Sequence, residues 1–269
     1  AVLAALRAVT GASGCLLVVK NYTGDRLNFG LAAERAKEEG LKVEMVVVSD
    51  DVSIAESAQP RGIAGTLFVH KVAGFLAETG ADLESVAEGA RAAAEGSKSL
   101  GLALTTCHPP GSSDKETLSA EQVELGLGIH GEPGVAKIEM ASAGELMSKV
   151  CEELGKTLSE GPLAVMLNNL GAVPPLEMSL LTGALLKTEL GERIELLLGP
   201  DHLMTSYDMK GFSVSALVLN DTLREALCAE VKPSCWPVPI KPSRPEPIAI
   251  PAFESLDFEA SDNPEVRAD

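Results

Sequence analysis

The run Cys15-Leu16-Leu17-Val18-Val19 is short, continuous and apolar, the pattern of a strand buried on both faces. It stops at the polar, glycine-bearing stretch Lys20-Asn21-Tyr22-Thr23-Gly24-Asp25, which reads as a loop. Helical spacing then runs from Leu27 to Glu39, with Gly40 in the C' position, and Val43 to Val48 is a second strand ending at Ser49-Asp50-Asp51. Strand, helix and strand in this order predict a βαβ unit with parallel strands and a right-handed crossover. Arg61-Gly62-Ile63-Ala64-Gly65 precedes a helix on which Phe68, Val72, Phe75 and Leu76 share a face. Asp82 is a candidate N-cap for another helix, to about Lys98, with Leu83, Val86, Ala87, Ala90 and Ala94 as its apolar stripe. Ala1 to Val9 has the pattern of a helix interior without a start signal, which suggests a piece of a longer chain.

A second half opens with the strand Leu102 to Thr106 and a Pro-Gly-Ser loop at 109–113. Ser119 to Leu125 reads as a short capped turn or helix, and Glu145 to Leu158 as a helix with Leu146, Val150, Leu154 and Leu158 four residues apart. Strands follow at Leu163–Leu167, Ile194–Leu198 and Phe212–Leu219, and helices near Leu176–Leu190 and Asp221–Glu230. The expected class is α/β, in two lobes that are each a mixed, largely parallel sheet flanked by helices. Residues 1–99 form the first lobe, expected to be N-terminally truncated, 100–232 the second, and 233–269 a proline-rich linker and acidic tail.

Composition narrows the functional classes. Of 269 residues 45% are hydrophobic, yet no apolar run approaches the length of a membrane span. The net charge of −17 disfavours phosphate backbones and anionic lipid, so neither nucleic acid nor membrane is an expected partner. Five cysteines, odd in number, widely spread and without a CxxC, read as reduced thiols of a cytoplasmic protein rather than as a zinc site.

Two segments carry candidate chemistry. Lys20 to Asp25 follows the C-terminal end of a strand, the edge at which open α/β sheets bind ligands. An aspartate there accepts from substrate hydroxyls and a lysine donates to a carbonyl or hydroxyl oxygen; equally, Gly24-Asp25 can form a turn and cap the next helix. The second is Gly126-Leu127-Gly128-Ile129-His130-Gly131-Glu132-Pro133-Gly134. It contains GxGxxG, but a dinucleotide fingerprint needs a strand before it and a helix after it, and Pro133-Gly134 opposes immediate helix entry. Its glycines let backbone approach a small ligand beside His130, which there can be a nucleophile, a general base, a metal ligand or a turn residue bonded to its own backbone. His70, His108 and His202 have no supporting context. Asn168-Asn169-Leu170-Gly171 and Met204 to Met209 are either polar site walls or loops with capping residues. The chain has no P-loop.

Four segments, in order, resemble the dihydroxyacetone kinase family: Lys20 to Asp25 with Leu27-Asn28-Phe29; Arg61 to Thr66 with His70-Lys71-Val72-Ala73-Gly74; Glu124 to Glu132; and Asn168 to Gly171. The resemblance is to the substrate-binding K domain, that of the ATP-dependent two-domain members and triokinase/FMN cyclases in particular, and covers the chain to about Lys232. It implies that His130 adds to the ketone of dihydroxyacetone as a hemiaminal, that Asp25 binds and helps activate a substrate hydroxyl, and that Lys20 lines the same pocket. Dihydroxyacetone or glyceraldehyde is then the substrate, and ATP-dependent phosphorylation gives the triose phosphate. ATP and Mg²⁺ are expected on a helical L domain following the linker, and none is expected on this segment. Family members also carry upstream a Gly-rich loop with a second histidine, so the segment alone is expected to be inactive. A homodimer is expected. The alternative is a catalytically silent module that senses dihydroxyacetone.

Overall fold

The computed structural model describes residues 1–53, 59–107, 111, 118–126, 134–231, 233 and 235–243. His130, His108 and most of the loop at 109–113 therefore lie outside the described residues. Helix α1 (Val2–Val9) leads through a tight Gly11–Gly14 bridge into β1 (Cys15–Lys20). Helix α2 (Thr23–Glu38) and β2 (Val43–Val48) complete a βαβ unit whose strands pair in parallel, Cys15 opposite Val43 and Lys20 opposite Val48. Then come α3 (Thr66–Glu78), α4 (Leu83–Gly96), β3 (Ser97–Ala103), β4 (Gln122–Leu125) and β5 (Ala136–Glu139). The chain continues as α5 (Ala143–Gly155), β6 (Leu163–Asn169), α6 (Pro175–Leu185), α7 (Glu189–Glu192), β7 (Ile194–Asp201), β8 (Gly211–Val218) and α8 (Asp221–Cys228).

The mixed α/β class expected from the alternation of patterns is the class found. The second sheet has the order β5-β4-β3-β8-β6-β7; β6–β7 pair in parallel and the other neighbours are antiparallel. The balance of directions differs from the expected largely parallel sheet because a helical crossover separates β6 from β7, whereas β4 returns to β5 as a hairpin. The two sheets meet where Asp51 bridges Ser99 of β3 in parallel: Ser99 N–H donates to Asp50 O at 2.7 Å and Val52 N–H to Ser99 O at 3.0 Å.

All seven residues of β6 are buried, and burial on both faces explains why Leu163 to Leu167 read as one apolar run. Leu163, Val165 and Leu167 enter a core with Met147, Val150 and Leu154 of α5 and Met178 and Leu185 of α6. Ala164 and Met166 enter another on the opposite face, with Phe68 and Val72 of α3, Ala90 and Ala93 of α4, and Leu227 of α8. That second core includes Val46 and Val48 of β2, so one apolar layer runs under both sheets.

Several elements differ from the sequence pattern. Strand β3 begins at Ser97, five residues before the predicted start, because its first half is polar and small; Ser99 Oγ donates to Ser215 Oγ of β8 at 2.6 Å, so burial there is satisfied by a hydroxyl pair. The predicted turn or helix before Gly126 is strand β4, held between β3 and β5, with Val123 and Glu124 buried by that pairing. Strand β5 has no periodicity to betray it. The helix expected over Leu176–Leu190 is divided into α6 and α7, with Thr188 Oγ1 accepting from Gly191 N–H to start the second. The proline-rich stretch is docked at Ile240, which exchanges two backbone hydrogen bonds with Leu197 of β7.

Candidate functional site

Lys20 is the last residue of β1, and the chain turns at once: Tyr22 N–H donates to Lys20 O at 2.7 Å and Asn21 N–H to Val48 O at 2.9 Å. Asn21 then ties the turn to the segment beyond β2, donating from Nδ2 to Pro60 O at 2.7 Å. Helix α2 starts at Thr23, four residues before the apolar spacing begins, so Asp25 lies in its first turn and not in a loop. Tyr22 is the N-cap and makes no side-chain cap bond, so the carboxylate of Asp25 complements the positive end of the helix. Lys20 Nζ is half-buried and donates to Met204 Sδ at 3.2 Å, reaching the stretch 204–209 that precedes β8. Burial lowers its pKa, and the charges of Asp50 and Asp25 raise it in opposition. The positive charge of Lys20 adds to desolvation in lowering the pKa of His70 on α3, which favours its neutral form. His202, by contrast, is an exposed loop residue beyond β7.

The segment after β2 packs into this corner. Gly62 sits so close to β1 and β2 that a Cβ there would lie 2.9 Å from Lys20 Cα and 2.5 Å from Val48 O, so only glycine fits without backbone movement. Asp50 is wholly buried, and its carboxylate accepts from Ile63 N–H at 2.8 Å and Gly65 N–H at 2.7 Å. Burial raises its pKa, against the pull of those donors and of Ser99. Its neighbour Asp51 accepts from Arg61 Nε at 2.7 Å, an ion pair almost entirely out of solvent. Arg61 Nη2 donates onward to Ser53 Oγ at 3.1 Å and to Gly126 O at 2.5 Å.

Gly126 is the first residue of the glycine-rich segment. Its φ of 71° is in the left-handed region, and a Cβ would strike Ser53 at 2.3 Å. Gly126 N–H donates to Gly101 O at 2.8 Å, Gly134 N–H to Glu124 Oε1 at 2.7 Å, and Val135 N–H to Leu125 O at 2.9 Å. The glycine cluster thus lies between two antiparallel strands, β4 and β5; among the described residues a strand precedes it and a strand, not the helix that a dinucleotide fingerprint needs, comes next. The two asparagines that end β6 organise the loops beyond it. Asn168 accepts from Leu203 and Met204 N–H and donates to Met204 O and Ser213 Oγ. Asn169 accepts from Gly171 and Val173 N–H and donates to Val173 O. Among the described residues no cluster of three or more His, Cys, Asp or Glu could hold a metal ion, and all five cysteines are free.

Lys20 and the stem of the His130 segment are therefore linked by two consecutive residues, Gly62 against the lysine backbone and Arg61 on Gly126. Sequence reasoning missed Asp50, Asp51 and Arg61 as site-building residues. The available signal was a pair of carboxylates at the C-terminal end of a strand, the edge that binds ligands in open α/β sheets.

The model of the Dak1 domain family matches residues 1–235. The chain belongs to that family. This Dak1 domain is 49% identical over 244 residues to a dihydroxyacetone kinase of Citrobacter freundii, covering 90% of the chain and 44% of the relative. It is 41% identical to the human (Homo sapiens) triokinase/FMN cyclase, covering 88% and 43%. It is 37% identical to the dihydroxyacetone-binding subunit DhaK of a PTS-dependent dihydroxyacetone kinase of Listeria innocua, covering 80% and 68%. The solved C. freundii kinase in complex with AMP-PNP and Mg²⁺ superposes with a TM-score of 0.91 at 46% identity, over 98% of this chain and 50% of that one. A dihydroxyacetone kinase operon co-activator, DhaQ, superposes with a TM-score of 0.79 at 25% identity, over 85% and 73%. The chain spans about half the length of the C. freundii and human curated relatives, 44% and 43%.

Proposed function

We propose that this Dak1 domain is the substrate-binding domain of a dihydroxyacetone kinase and that it holds dihydroxyacetone as a hemiaminal on His130. The supporting observation is the close approach of Gly62 to Lys20 and the hydrogen bond from Arg61 to Gly126, which bring the start of the segment that carries His130 near the corner formed by Lys20. A neutral imidazole nitrogen gives its lone pair to the ketone carbon. The carbonyl π pair moves to oxygen, which takes up a proton, and the other ring nitrogen releases its own. Covalent capture selects a short ketone over glycerol, which has the hydroxyls without the electrophilic carbon. Lys20, its ammonium partly desolvated, donates to a substrate oxygen, and Asp25 accepts from a terminal hydroxyl and prepares it for phosphorylation. ATP and Mg²⁺ supply the phosphoryl group and its charge neutralisation from an L domain in the intact protein; AMP-PNP and Mg²⁺ are bound in the C. freundii relative. No step is assigned to a metal held by the described residues.

A second reading, a catalytically silent dihydroxyacetone sensor, is favoured by the fold shared with the operon co-activator. Incubating the intact protein with dihydroxyacetone and measuring mass under conditions that preserve the adduct tests both. The adduct is expected in the wild type and in Asp25→Asn, and lost in His130→Ala. An adduct that survives in His130→Ala rejects the histidine. Transfer from ATP in the intact protein, slowed in Asp25→Asn, selects the kinase, and an adduct without transfer selects the sensor.

A further inference from the structure

We propose that Arg61 is a positioning residue: anchored on Asp51 and Ser53, its guanidinium fixes the Gly126 carbonyl and so sets the stem of the glycine-rich segment against the edge that carries Lys20. Arg61 is buried, and among the described residues its side chain donates to Asp51, Ser53 and Gly126. A buried arginine is costly unless a carboxylate and well-aimed acceptors receive its donors. Here one fork serves a carboxylate, a hydroxyl and a backbone carbonyl in three directions, from Nε and Nη2. A lysine, a single donor head on a flexible stem, keeps the charge beside Asp51 without reaching all three.

The turn in which Arg61 sits is itself immobilised. The Asp50 carboxylate accepts from Ile63 and Gly65 N–H, while Asp51 N–H donates to Arg61 O at 3.0 Å. The consecutive carboxylates at the end of β2 thus divide the work: Asp50 fixes the turn and Asp51 fixes the arginine. Gly62 puts the same turn against Lys20 Cα. Gly126 then receives Arg61 at its oxygen and gives its N–H to Gly101, so the entrance of the segment is held from both sides. For ketone capture the consequence rests on the function proposed above; the positioning of the stem does not.

The test compares Arg61→Lys and Arg61→Met with wild type in the intact protein, following backbone amide exchange at Gly126, Gly134 and Val135, with α5 amides as a folding control. Adduct yield with dihydroxyacetone is measured on the same samples. Exchange at the three amides is expected to rise about tenfold in Arg61→Lys, with α5 unchanged, since one charge-assisted hydrogen bond is of that order. Adduct yield is expected to fall by roughly the same factor. Unchanged exchange at these amides in Arg61→Lys overturns the proposal, whatever Arg61→Met does. If Arg61→Met loses α5 protection as well, the Lys variant, which retains the charge opposite Asp51, decides. Faster exchange in a protein whose wild type forms no adduct upholds the positioning role and rejects the ketone reading, so the two failures are distinct.

Discussion

Lys71 has only 7% of its surface exposed, and its ammonium donates to the carbonyls of Ala226 at 2.7 Å and Ala229 at 2.6 Å, at the C-terminal end of α8. A cation belongs there because those carbonyls are the helix's unpaired acceptors and its negative pole. The same nitrogen lies 5.7 Å from the ring centre of Trp236, so one side chain joins α3, α8 and the segment that follows. Replacing it, Lys71→Met, keeps the stem and removes the donor, and the protein is expected to lose about 2 kcal/mol in urea unfolding. An unchanged midpoint would show that water replaces the ammonium. Lys71 was legible in the sequence only as part of a resemblance, because its partners are more than 150 positions away. Asp25 and Lys20 were legible directly, since both flank one strand-to-helix junction. Arg61 was, like Lys71, legible only as part of that resemblance, because Gly126, whose carbonyl it holds, follows a strand that reads as a turn.

At the level of elements, caps decide where helices begin. Asp82 accepts from Ser85 N–H at 2.8 Å, and Ser142 and Glu145 form a capping box at α5. The N-cap Asp82 followed from its residue type; the box at Ser142 was passed over because the apolar spacing starts later. Both carboxylates have pKa values below their ordinary range, through the hydrogen bonds from Ser85 and Ser142. A lowered folded-state pKa means that the contribution is complete above the ordinary carboxylate range and disappears as pH falls through the folded value. Amide protection in the first turns of α4 and α5 should therefore hold from about pH 7 to about pH 5 and drop as pH falls below about 4. In Asp82→Ala the drop at α4 should vanish while that at α5 remains. An equal drop at α4 in variant and wild type would assign it to general acid loosening.

For the molecule as a whole, the exposed sheet edge is the feature that needs covering. Strand β7 ends the six-stranded sheet, and Ile240 caps it at Leu197 with hydrogen bonds of 2.9 and 2.8 Å. Trp236 packs against the core beneath both sheets, so residues 235–243 strap the layer that the two sheets share. Ile240→Pro removes one donor of the pair, and a nonspecific protease is expected to cut within this strap sooner while the remainder stays intact. Equal cutting in variant and wild type would show that the ring of Trp236, rather than the strand bridge, holds the segment.

Alternating apolar runs and turn residues by themselves determined the α/β class, the first βαβ unit and the edge bearing Lys20 and Asp25, because these follow from neighbours within one or two elements. Tertiary structure alone decided the directions in the second sheet, the strands around the glycine cluster and the Asp51–Arg61–Gly126 link. Short polar strands such as β3, β4 and β5 gain their stability from partners far along the chain, and a buried ion pair has no local signature at all.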